Sequence, residues 1–89
     1  MMVTQQINDR LNELLGILNA VCSSIEPATG YVHLRNDYYD ARAGAIAFVE
    51  HVFGRDNSLH NELLSITPDC FDQNVFRLQA VLRAAKAAD

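Results

Sequence analysis

The sequence predicts an all-α fold: a small bundle of three to four helices in a single domain over residues 1–89, with dimerisation as a way to complete it. Three observations predict it. Apolar residues recur at spacings of three and four in each long segment, the signature of helices that bury one face. Turn chemistry separates those segments, at Glu26-Pro27-Ala28-Thr29-Gly30, Gly54-Arg55-Asp56-Asn57 and Thr67-Pro68. The one β-prone run, Tyr31-Val32-His33-Leu34, is too short to found a sheet. A strand there is the main alternative.

The first helix is expected to start after Thr4 as N-cap. Its stripe is Ile7, Leu11, Leu14, Leu18, Val21 and Ile25, widened by Leu15 and Cys22. Pro27 disfavours helical geometry at Glu26, so the helix ends there. Residues 26–36 read as an ordered connection laid over the bundle. Asn36 or Asp37 is expected to cap the second helix, with Asp40 completing a box-like arrangement.

The run from Ala41 to Gly54 organises the rest. Tyr38, Ala41, Ala45, Phe48 and Val52 form one apolar stripe, and Tyr39, Ile46, Val49 and Phe53 a second beside it. Small residues at 41, 43, 44, 45 and 47 allow another backbone to approach closely, and Gly54 suits a left-handed stop. Ser58 or Asn57 opens a short third helix with Leu59, Leu63 and Ile66 on its buried side. Thr67 as N-cap and Pro68 at the first helical position predict a fourth helix with the stripe Phe71, Val75, Leu78, Leu82 and Ala85, flanked by Cys70, Phe76 and Val81.

Composition narrows the function classes. The chain has 49 % hydrophobic and 20 % charged residues, which is globular and not disordered. At 89 residues it buries only roughly 60–65 % of its unfolded surface, so its stability margin is thin and dimerisation is a common remedy. The net charge is −4 and the seven basic residues are scattered singly, which argues against nucleic acid as a partner. No run reaches the roughly 20 apolar residues of a membrane span, so no membrane partner is expected. The first ten residues have no basic and then apolar signal pattern, which makes the cytoplasm the expected location. Cys22 and Cys70, both expected within helices, are then free thiols.

No catalytic signature is found, and no enzyme activity, metal or cofactor is expected. Glu50 and His51 are neighbours in sequence and diverge by about 100° on a helix. No Glu-x-x-His or His-Glu-x-x-His spacing occurs, which removes the di-iron and zinc helix patterns. His51, His60 and Cys70 are the one conceivable metal or small-ligand set, drawn from either side of the second turn. Cys70 is a poor nucleophile because Asp69 and Asp72 flank it and raise its pKa. The acids Asp37, Asp40, Asp69 and Asp72 sit where helix N-termini favour negative charge for structural reasons alone.

The surplus of apolar face carries the functional expectation. It points to a non-catalytic protein–protein interaction module, for assembly, adaptation or regulation, whose partner is a second copy of the chain. The expected contact residues are Tyr38, Ala41, Ala45, Phe48 and Val52, with Leu11, Leu14 and Leu18 of the first helix. Tyr31, Tyr38 and Tyr39 add amphipathic anchors of the kind enriched at interfaces. One alternative is a small acidic inhibitor of another protein's basic site, which requires the acidic side chains to cluster. Another is a metal- or ligand-binding bundle.

The segment Ala45-x-x-Phe48-Val49-x-x-Val52-Phe53-Gly54-Arg55-Asp56-Asn57-Ser58 resembles a short element of small helical regions that accompany bacterial anti-phage defence effectors. The resemblance covers about fourteen residues. It implies a bacterial, non-catalytic helical accessory module that assembles or regulates an effector, and it carries no functional residue over.

Overall fold

The computed structural model describes residues 5–87 and holds four helices and no strand among them: α1 (Gln5–Ser23), α2 (Arg35–Phe53), α3 (Ser58–Ser65) and α4 (Asp72–Ala87). The helices run alternately up and down. Gln79 of α4 donates to Asn19 of α1 and Lys86 to Asn12, so α1 and α4 are antiparallel. α2 packs against α1, α3 and α4, while α1 and α3 lie diagonally opposite. No helix among the described residues is long and apolar enough to cross a membrane.

α1 follows its predicted stripe. Leu11, Leu14, Leu18 and Val21 are buried, and Ile7, Leu15, Cys22 and Ile25 pack partly buried beside them. Thr4, the expected cap, lies outside the described residues. The helix ends one turn before Pro27, where the Ser24 N–H and hydroxyl both donate to the Val21 carbonyl.

The start of α2 departs from expectation. It begins at Arg35 after Leu34, with no side-chain cap, and neither Asn36 nor Asp37 caps it. The cause lies in the exit from α1: the Ser24 hydroxyl accepts the Leu34 N–H at 3.2 Å, and Ile25 pairs with Val32 in an antiparallel bridge. These bonds pin the chain before the local capping residues are reached. Tyr31 to Leu34 forms no strand; Tyr31 and Val32 each make an isolated bridge.

Of the small residues of α2, Ala41, Gly44 and Ala45 are used inside the chain, while Ala43 and Ala47 are exposed. A Cβ at Gly44 would lie 3.1 Å from Arg10 Nη2 and 3.2 Å from Leu14 Cδ2, so α1 packs closely at that point. Gly54 ends α2 with φ 88° and ψ 164°, a positive φ but an extended conformation, not the expected left-handed helical one. Its N–H still donates to the Glu50 carbonyl. Asn57 caps α3 by accepting the Leu59 N–H at 2.8 Å.

α4 starts at Asp72, five residues after the predicted cap Thr67. Residues 67–71 are held open by long-range bonds. The Arg42 guanidinium grips the Ile66 carbonyl at 2.9 Å, and the Tyr38 hydroxyl reaches the Thr67 carbonyl at 3.4 Å. Buried Asn74 donates to Thr67 O, Thr67 Oγ1 and Asp69 O. Phe71 bridges to Tyr31. Thr67 thus serves as an acceptor for Asn74, and Cys70 sits in the connection, not in a helix. Val75, Leu78, Leu82 and Ala85 take the core side as predicted, joined by Val81.

Candidate functional site

Most of the residues expected at a partner interface fill the chain's own core. Tyr38, Ala41, Ala45, Leu11, Leu14 and Leu18 are all at most 1 % exposed, and Phe48 and Val52 are partly buried. The physical reason is that α2 has three helical neighbours, which cover the wide apolar face that seemed surplus. Those six side chains offer no surface to a partner.

The three residues considered as a ligand set are not brought together. His60 Nε2 lies 3.8 Å from Glu50 Oε2, near the C-terminus of α2. Cys70 lies near the start of α2, where Arg35 is close enough to act on its thiol. His51 is exposed and borders an open hollow with Ala47 and Glu50. Among the described residues no three His, Cys, Asp or Glu side chains are grouped to hold a metal ion. Burial pushes the Cys70 thiol up from its ordinary value, against a smaller opposing effect of Arg35. Cys22 and Cys70 are both free thiols.

His60 is unexpectedly buried, at 6 % exposure, and neither ring nitrogen has a hydrogen-bond partner. Its nearest ionisable neighbour, Glu50, is occupied by Arg55 at 2.7 Å, which holds the Glu50 carboxyl below its ordinary value.

The candidate site is the end of the bundle where the two long connections meet. Glu26 N–H donates to Tyr31 O and Gly30 N–H to Glu26 O, each at 2.8 Å, which folds residues 26–31 into a tight loop. Gly30 supports this with φ 75°, and the Asp72 carboxylate lies 3.1 Å from where its Cβ would be. A side chain there would be strained and crowded. The loop is thereby seated on the 67–71 connection, joined by the antiparallel Tyr31–Phe71 bridge.

This end exposes aromatic surface. Tyr31 is 45 % exposed, and Tyr39 and Phe71 are each 39 % exposed. The Arg35 guanidinium lies over the Tyr31 ring, 5.9 Å from its centroid, and donates to the Tyr39 hydroxyl at 3.4 Å. These contacts with Tyr39 and Tyr31 raise the Arg35 pKa. The Tyr31 ring meets His33 edge-on at 4.7 Å, and His33 Nε2 is 3.2 Å from Glu26. Tyr31 and Tyr39 were readable in the sequence as amphipathic anchors. Arg35 and Phe71 were not, although the spacing Tyr31, Arg35, Tyr39, four residues each time, holds the signal for the first.

Comparison with protein-family models, with curated proteins and with solved structures finds no match in any of the three.

Proposed function

We propose that the chain is a non-catalytic protein–protein interaction module whose contact surface is the Tyr31–Arg35–Tyr39–Phe71 end of the bundle. The observation that supports this is the exposed group of Tyr31 and Tyr39 joined by Arg35, with exposed Phe71 bridged to Tyr31 through the backbone. Tyr, Phe and Arg are enriched in interfaces, and Tyr and Arg among the residues that dominate binding energy. The group is also fixed in place: a backbone bridge, a cation–π contact and a hydrogen bond hold it before any partner arrives. Preorganised surface loses less entropy on binding. A bacterial defence effector as the partner, and a reducing cytoplasmic setting, belong to this reading. The resemblance around Phe53-Gly54 supports the first and the two free thiols the second.

Self-association is the competing reading. With most of the α2 stripe buried, its support shrinks to three other exposed large apolar side chains, Leu34 at 38 %, Leu64 at 55 % and Phe76 at 49 %.

The test is site-directed photocrosslinking in the host cell, with a photoreactive amino acid at position 39 or 71, and at exposed Ala43 as control. A discrete adduct from 39 and 71, absent from 43, is expected. Adducts of equal yield from all three positions, or none from 39 and 71, would refute the assignment.

A further inference from the structure

We infer that the Tyr31–Arg35–Tyr39–Phe71 face docks a cationic segment of a different protein, one that presents lysine or arginine beside apolar side chains. This rests on the interaction reading above and adds the chemistry of the partner. Tyr31 and Phe71 oppose each other across an antiparallel bridge, so their side chains leave the same side of the backbone. Arg35 joins the Tyr39 ring to that face. The result is one apolar, aromatic patch drawn from two connections and the first turns of α2.

The charge around this patch selects the occupant. Glu26, Asp37, Asp40, Asp69 and Asp72 all belong to this end of the bundle, in the two connections and the opening turns of α2 and α4. None of the five forms an ion pair with lysine or arginine among the described residues, whereas Glu13, Glu50 and Glu62 elsewhere hold Arg10, Arg55 and Arg77. Arg35 and Arg42 keep their charges here, since their partners, two tyrosines and the Ile66 carbonyl, are neutral; two arginines against the five carboxylates still leave this end net negative. The patch is therefore set in a negative field. Such a field draws a partner's cations, while the exposed aromatic rings offer apolar contact to the side chains beside them.

A second copy is a poor occupant. Two-fold pairing through this end would set the same five carboxylates against themselves. Nucleic acids and anionic lipid surfaces are repelled for the same reason.

The test follows the amide chemical shifts of the full chain at low ionic strength. The probe is the peptide Arg-Leu-Arg-Leu-Arg-Leu, with Glu-Leu-Glu-Leu-Glu-Leu as control. The cationic peptide is expected to shift residues 26–42 and 67–73 and to weaken as salt shortens the Debye length from roughly 30 Å at 0.01 M to roughly 8 Å at 0.15 M. The pair Asp37→Asn and Asp40→Asn, whose side chains have no hydrogen bond or ion pair among the described residues, should weaken binding about fivefold or more, as should Tyr39→Ser. Shifts centred elsewhere, or affinity unchanged in these variants, overturn the inference. Binding of the acidic peptide to the same face overturns the cationic partner but leaves the interaction surface standing. Failure of both peptides to touch this end overturns the partner chemistry, and the crosslinking experiment then decides the interaction reading on its own.

Discussion

Tyr38 joins packing to a pH-dependent free energy. Its side chain is fully buried, and its hydroxyl reaches only the Thr67 carbonyl, at 3.4 Å. Burial raises its pKa from 10.0 to about 12, against a smaller lowering effect of Arg42. Between those values the unfolded phenol ionises while the folded one keeps its proton. Unfolding then releases a proton, so stability falls as pH rises. The contribution is fully present below pH 10 and lost once pH passes about 12. Two units of difference correspond to a loss on the order of 2–3 kcal/mol. Tyr38→Phe removes the ionisable group and keeps the ring. At neutral pH the variant should lose at most about 1 kcal/mol, because the hydrogen bond is long. Urea unfolding of both proteins, followed by far-ultraviolet circular dichroism from neutral pH to pH 12, measures the difference. The wild type should lose stability more steeply above pH 10, so that the variant becomes the more stable of the two near pH 12. Parallel stability curves for the two proteins would refute the argument from burial.

Three further outcomes are expected. Asn74→Ala removes the donor to Thr67 and Asp69 and should destabilise the fold by about 2–3 kcal/mol in urea unfolding, with the loss of protection in hydrogen exchange greatest over residues 67–71. His60→Leu replaces a buried ring whose nitrogens have no hydrogen-bond partner with an apolar side chain of similar size, and should raise stability by about 1 kcal/mol. Glu50 has its pKa lowered chiefly by its hydrogen bond from Arg55, so its contribution is present above the ordinary value of 4.5 and disappears as pH falls through the lowered one; Glu50→Gln should flatten the stability profile in that acid window and lower stability slightly and evenly above it.

The parts of this fold that are readable in the sequence are those decided within one helix. The spacing of Leu11, Leu14, Leu18 and Val21, and that of Val75, Leu78, Leu82 and Ala85, names the buried faces directly, because helical period and burial coincide there. Asn57, one of the two residues read as opening α3, proves to be its cap, and its partner, Leu59, is only two residues away. What the sequence hides depends on distant residues. Thr67-Pro68-Asp69 is a sound local start signal, yet Tyr38 and Asn74 hold its carbonyls, Arg42 holds that of the preceding Ile66, and α4 is delayed to Asp72. Leu34 precedes α2 because Ser24, ten residues earlier, takes its N–H.

The candidate site divides along the same line. The width of the apolar face on α2 is visible in the residues from Tyr38 to Phe53, but the number of helices that cover it is not. That is why Tyr38, Ala41 and Ala45 read as an interface and turn out to be core. Phe71 reads as core and turns out exposed, because its backbone is engaged by Tyr31 before the helix begins. The exposed aromatic group is a product of two connections meeting, and no periodicity records that meeting.

The central claim is that α1, α3 and α4 consume the apolar surplus of α2 within one chain, which leaves the loop end as the surface for partners. Molar mass by light scattering, over a concentration series, tests it most directly. The account predicts the monomer mass of 9.9 kDa throughout. A stable dimer that persists on dilution would contradict it and return self-association to first place.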